Sequence, residues 1–124
     1  MKKLERVKTG IKGFDELIQG GFPKNSSILI CGGPGCGKTI FASEFIYNGA
    51  KKYNEKGMYV SFEQNPNSLR NQASQFGWNI PSLEKSGKIK LLSIPTSKLR
   101  RETLEEIRAI VKKEKIKRLV IDSL

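Results

Sequence analysis

Residues 32–39 read Gly-Gly-Pro-Gly-Cys-Gly-Lys-Thr and match the pattern G-x-x-x-x-G-K-[ST], with Gly32, Gly37, Lys38 and Thr39 in the fixed positions. The apolar run Ile28-Leu29-Ile30-Cys31 leads into it and the helix-compatible stretch 40–46 leads out, which is the strand–loop–helix setting the pattern needs. A polyphosphate needs many donors crowded around it without side chains in the way. Gly33, Gly35 and Gly37 permit a backbone whose N–H groups turn inward at a helix start, and Pro34 stiffens the loop. The expected nucleotide cradle is therefore Gly33, Pro34, Gly35, Cys36, Gly37, Lys38, Thr39 and Ile40. Lys38 reaches the outer phosphates as a point charge, which also makes it a catalytic candidate, and the Thr39 hydroxyl is a Mg²⁺ ligand candidate.

With 124 residues there is room for one modest domain, which is short for a complete P-loop ATPase. No apolar run approaches membrane-spanning length, and no apolar signal region follows the charged start of the chain. A cytoplasmic location with no membrane partner is the expectation. Cys31 and Cys36 stand without a histidine anywhere in the chain, so a thiol–imidazole metal site is excluded. They read as two reduced cysteines; a sharper reading makes Cys36 oxidisable, because it lies beside a helix N-terminus and Lys38. The net charge of +11 suits an acidic partner, nucleotide or nucleic acid, although a thermophile's Lys-rich surface or a lost acidic portion would produce it equally.

Upstream of the loop, residues 13–18 read as a short helix with Phe14, Leu17 and Ile18 on one face, stopped by Gly20-Gly21. Downstream, a helix is expected from Lys38 to about Tyr53 with Phe41, Phe45, Ile46 and Ala50 on or near its buried face. A strand over 58–62 then delivers Glu63 at its carboxyl end, where ligands of open α/β sheets bind. A carboxylate there either activates the water that attacks a γ-phosphate or is a solvated strand end. Asn65 as N-cap and Pro66 at the first position start a helix turning Leu69, Ala73 and Phe76 inward, with Trp78, Ile80 and Leu83 covering a sheet edge. The charged alternation at the start of 88–94 suits an edge strand. Residues 102–114 form an amphipathic helix with Leu104, Ile107, Ile110 and Val111 on its apolar face and a solvated face of mixed charge. The closing run 118–122 fits a fully buried parallel strand that presents Asp122 at its tip, a Walker B arrangement holding Mg²⁺ through its water shell.

Thr9-Gly10-Ile11, Gly20-Gly21-Phe22-Pro23, residues 32–39, Phe62-Glu63, Phe76-Gly77-Trp78 and Val120-Ile121-Asp122-Ser123-Leu124 together resemble the KaiC-like ATPases of the RecA-like P-loop NTPase superfamily. The resemblance runs over essentially the whole chain from Arg6 onward. It implies an α/β RecA-like fold, a mostly parallel sheet flanked by helices, and one domain over 1–124. It implies ATP and Mg²⁺ as ligands, with ATP bound between neighbouring subunits of a ring or filament and hydrolysed slowly. Glu63 then becomes the candidate catalytic base, beside metal ligands Thr39 and Asp122. Two positions depart from the family pattern: Gln64 follows Glu63 where a second acid is usual, and Asn25 replaces a glycine. Asn tolerates a left-handed backbone, so the second change costs little. In RecA-like sheets a later strand usually separates the Walker B strand from the P-loop strand, so the chain reads as the N-terminal half of such a domain, truncated after the Walker B strand.

Three functions are compatible with these residues. The first is Mg²⁺-dependent ATP binding and hydrolysis in the completed domain. The second is a nucleotide-dependent regulatory or assembly module with little turnover. The third is an accessory ATPase of DNA repair or recombination, resting on the positive charge, although no base-reading element is present.

Overall fold

The computed structural model describes residues 5–28, 37–62 and 65–122. Its centre is β3 (Gly57–Ser61), all five of whose residues are buried. A strand buried at every position belongs inside a parallel sheet covered on both faces. Here β3 lies between β4 (Ile89–Ser93) and β5 (Arg118–Asp122), parallel to both, with Tyr59 opposite Leu91 on one side and Val120 on the other.

Alternation along β3 divides the core in two. Tyr59 points into a cluster with Ile46 and Ala50 of α1 (Lys38–Lys52), Leu69 and Ala73 of α2 (Pro66–Ser74), and Ile80 and Leu83 of α3 (Ile80–Lys85). Met58 and Val60 point the other way, onto Ile107 of α4 (Arg101–Lys113), with Ile110 and Val111 beside it. Helices thus cover both faces of the sheet, as parallel strands require.

The helix starts follow their expected chemistry. The Asn65 side chain accepts the Ser68 N–H at 3.0 Å ahead of Pro66, and Asn79 caps α3 by accepting the Ser82 N–H at 3.2 Å. A bidentate Arg70–Glu84 pair, at 2.8 and 2.9 Å, clips α2 to α3. Asn25 adopts φ 64, the left-handed conformation expected of it in a glycine's place.

The N-terminal segment folds onto α1. Short strands β1 (Arg6–Val7) and β2 (Phe22–Pro23) pair antiparallel around a 3-10 turn over Asp15–Ile18. Phe14 meets Phe22 and Phe41 edge-on at 5.8 and 5.1 Å, and Phe22 meets Phe45 at 5.9 Å. Thr9 is fully buried; the Asn48 side-chain amide of α1 donates to its carbonyl at 3.1 Å.

Several sequence expectations are corrected. The 13–18 segment is a 3-10 turn, and the tighter three-residue repeat leaves Leu17 81% exposed while the Phe14 ring meets Phe41 of α1. Phe76 is 51% exposed because α2 ends at Ser74; its ring stacks on Trp78 at 4.9 Å instead of entering the core. Leu104 lies a turn before Ile107, beyond the part of α4 that the sheet covers, and is exposed. β5 is not buried throughout: Arg118 is enclosed and Val120 packs against the α1 side, while Leu119 and Ile121 project from the opposite face and are exposed. The strand expected over 28–31 lies outside the described residues apart from Ile28, which is exposed and not in a strand. A membrane-spanning helix is absent among the described residues.

Candidate functional site

The carboxyl ends of β3 and β5 meet the N-terminus of α1. Gly37 takes φ 84, ψ 14, and its carbonyl accepts the Phe41 N–H at 2.9 Å, the first turn of α1. A Cβ at Gly37 would meet nothing within 4 Å among the described residues, so glycine is required there by its backbone angle and not by space. Lys38 and Thr39, both half-buried, are the first two helical residues. No acid stands in the first turn of α1, while Lys51 and Lys52 occupy its last, so the positive end of the helix is left for an external anion.

Across the sheet, Asp122 ends β5. The Thr39 hydroxyl donates to Asp122 Oδ2 at 3.4 Å, a contact between residues 83 positions apart. This is long for a hydroxyl–carboxylate bond, so the contact is a weak one. The same oxygen accepts the Tyr59 hydroxyl at 2.6 Å. The Phe62 N–H donates to the Asp122 carbonyl at 2.8 Å, which carries the β3–β5 pairing to the last described residue of each chain segment.

Thr39 and Asp122 therefore come together, and Lys38 precedes Thr39 at the start of α1. Ile40 follows on α1 and is 38% exposed. Gly33, Pro34, Gly35, Cys36 and Glu63 lie outside the described residues, as do Cys31 and Gln64. Tyr59 was missed by sequence reasoning: an aromatic inside an apolar strand reads as core, and 2% exposure bears that out for its ring. The hint was chemical, since a buried phenol hydroxyl needs a partner.

The donor set fits Mg²⁺. Thr39 and Asp122 offer hydroxyl and carboxylate oxygens, hard ligands carrying one negative charge, at a site built from two elements and beside a helix N-terminus.

A second constellation braces α1 from behind. Arg118, 2% exposed, donates to the Phe45 carbonyl at 2.9 Å, to Glu55 at 3.0 Å and to the Lys8 carbonyl, and its guanidinium stacks over the Phe45 ring at 4.6 Å. Gly49 makes room for it; a Cβ there would lie 2.4 Å from Arg118 Cδ. Asp15 anchors the N-terminal turn. Burial alone would raise its carboxyl pKa, but hydrogen bonds from the Thr9 hydroxyl and the Gly10 and Thr9 N–H groups, with the charge of Arg118, hold it below its ordinary value.

A family model described as the KaiC ATPase matches residues 7–124. The chain belongs to the KaiC ATPase family. A UPF0273 protein of Thermotoga maritima is 38% identical to it, over 98% of this chain and 56% of the relative. The circadian clock oscillator protein KaiC of Parasynechococcus marenigrum is 34% identical, over 98% of this chain and 26% of the relative. The solved structure of a KaiC-like protein from Pyrococcus horikoshii OT3 superposes with a TM-score of 0.88 at 45% identity, covering 97% of this chain and 54% of that one. The fold is thus the RecA-like α/β fold of KaiC-like proteins. This KaiC-family chain spans about half the length of curated relatives such as the T. maritima protein.

Proposed function

We propose that this chain binds ATP on residues 33–40 and holds Mg²⁺ with Thr39 and Asp122, and that Glu63 acts as general base for ATP hydrolysis in the completed domain. The observation that carries this reading is the meeting of Thr39 with Asp122 at 3.4 Å, where the α1 N-terminus abuts the carboxyl end of a parallel strand. Membership of an ATPase family supports the reading at the level of nucleotide binding and hydrolysis.

The roles follow from chemistry. The α1 N–H groups and Lys38 bind phosphate charge. Thr39 would hold Mg²⁺ through its hydroxyl, and the Asp122 carboxylate would hold it through its water shell. Bound Mg²⁺ supplies neutralisation of charge on the β- and γ-phosphates. Glu63 would take a proton from the attacking water. Neighbouring subunits of a homo-oligomer would contribute to the nucleotide site.

In a binding and single-turnover experiment, Lys38→Ala lowers MgATP affinity by at least about tenfold. Glu63→Gln retains affinity and lowers hydrolysis by about 10²-fold or more. Unchanged affinity in Lys38→Ala would sink the binding site; unchanged turnover in Glu63→Gln would remove the base. A second reading, a nucleotide-dependent assembly module with little turnover, is favoured by Gln64 in place of a second acid. It predicts tight MgATP binding, near-zero hydrolysis in the unaltered chain and ATP-dependent sedimentation.

A further inference from the structure

We infer that Tyr59 is a positioning residue for the metal site: its buried hydroxyl fixes the Asp122 carboxylate so that Thr39 can leave it for the metal. The inference rests on the reading of Thr39 and Asp122 as the Mg²⁺ site.

The Tyr59 ring is held by the core. It lies on the central strand, 2% exposed, among side chains from α1, α2 and α3, which leaves its position little freedom. Its hydroxyl reaches Asp122 Oδ2 at 2.6 Å, within the range of a charge-assisted O–H···O⁻ bond. The two residues do not face each other across the strands: Tyr59 pairs with Val120, and Ser61 with Asp122. The phenol therefore extends along the strands toward their carboxyl ends, a reach that Phe at this position would lack.

One carboxylate oxygen thus receives two hydroxyls of unequal strength, Tyr59 at 2.6 Å and Thr39 at 3.4 Å. The weaker donor is the one with a second task. When Thr39 turns to the metal, Asp122 loses that contact and keeps the shorter one, so the side chain does not swing after it. A carboxylate fixed in advance loses less rotamer freedom when it accepts the metal's water, and the gain appears only in metal-dependent binding.

Tyr59→Phe tests this, because it keeps the ring and removes one oxygen. ADP affinity is measured by calorimetry with excess EDTA and with saturating Mg²⁺, and Mn²⁺ occupancy is followed by electron paramagnetic resonance in the presence of ADP. The expected result is a roughly tenfold weaker Mn²⁺ and a roughly tenfold smaller gain in ADP affinity on adding Mg²⁺, with EDTA-state affinity changed less than about twofold. In an Asp122→Asn background the Tyr59→Phe change should have little further effect on either metal readout, as coupling through one carboxylate requires. Equal losses with and without metal would mark Tyr59 as a packing residue and overturn the inference; so would an unchanged metal-dependent gain. If the unaltered chain gains no ADP affinity from Mg²⁺, the underlying reading of the metal site fails instead. Thermal melting of Tyr59→Phe, compared with the unaltered chain, distinguishes a folded variant from a damaged one. Should it melt early, the comparison is repeated below its transition, where the same split is required.

Discussion

Asp15 illustrates how much one side chain can organise in a short N-terminal segment. Its carboxylate collects three donors, the Thr9 hydroxyl at 2.6 Å and two backbone N–H groups at 3.1 and 3.0 Å, and so fixes the chain just before it docks on α1 through Thr9 and Asn48. Its folded pKa is lowered from an ordinary 3.8, so the folded state binds fewer protons than the unfolded one as pH falls past that value. Stability from Asp15 is therefore complete above the unfolded pKa of about 4 and is lost as pH drops through the depressed folded value. Asp15→Asn should cost about 2 kcal/mol at pH 7, since the amide can accept at one atom and presents hydrogens at the other. Denaturant melts at pH 7 and pH 3 check it: the gap between variant and parent must narrow at pH 3, and a constant gap would assign the effect to shape.

At the same scale, residue chemistry was legible where a local rule applied. Asn25 and Asn65 do what their backbone and capping preferences require, and Gly37 takes the left-handed angle that a phosphate loop needs. Arg118 was not legible. In sequence it is one of many basic residues before an apolar run, and its burial depends on Glu55, Phe45, Lys8 and the gap at Gly49, partners scattered over the chain. Tyr59 escaped for a related reason, since its acceptor is 63 positions away.

For whole elements, periodicity located the longer helices and strands but not how far each is covered. α4 makes the distinction measurable. Leu104 and Ile107 fall on the same apolar stripe, yet Ile107 is 4% exposed beneath β3 and Leu104 is 47% exposed. Helical spacing specifies a face, whereas the length of sheet beneath that face comes from strands folded elsewhere in the chain. Ile107→Ala should therefore destabilise by about 3 kcal/mol and Leu104→Ala by less than about 1 kcal/mol. Equal losses in urea unfolding would mean that α4 is covered along its whole apolar stripe. The six-residue α3 and the β1–β2 pair were not anticipated because each is too short to establish a period, and their existence depends on what they pack against. By contrast, β3 was expected at 58–62 and found at Gly57–Ser61, because its run Met58-Tyr59-Val60 is a local strand signal; its central place, between β4 and β5, was not legible.

Over the molecule as a whole, the proposed site draws its groups from three separate elements. α1 contributes Lys38 and Thr39, β5 contributes Asp122 and β3 contributes Tyr59, so a ligand held by these groups binds the folded chain and not the unfolded one. Arg118 lies in β5 and bonds to α1 and the N-terminal segment, so these parts are already coupled before any ligand arrives. Nucleotide binding should then stabilise the chain globally, not just at the loop. At a free MgADP concentration of about 100 times its dissociation constant, mass action adds about 2.7 kcal/mol. For a domain of this size, at roughly 4 °C per kcal/mol, the midpoint should rise by about 10 °C. Adding EDTA should reverse part of that rise, and Asp122→Asn should remove the EDTA-sensitive part while leaving a shift due to ADP alone. Scanning calorimetry with ADP, with ADP and Mg²⁺, and with subsequent EDTA separates these contributions. A midpoint indifferent to ADP would contradict nucleotide binding, and a shift indifferent to Mg²⁺ would contradict the pairing of Thr39 with Asp122 as a metal site.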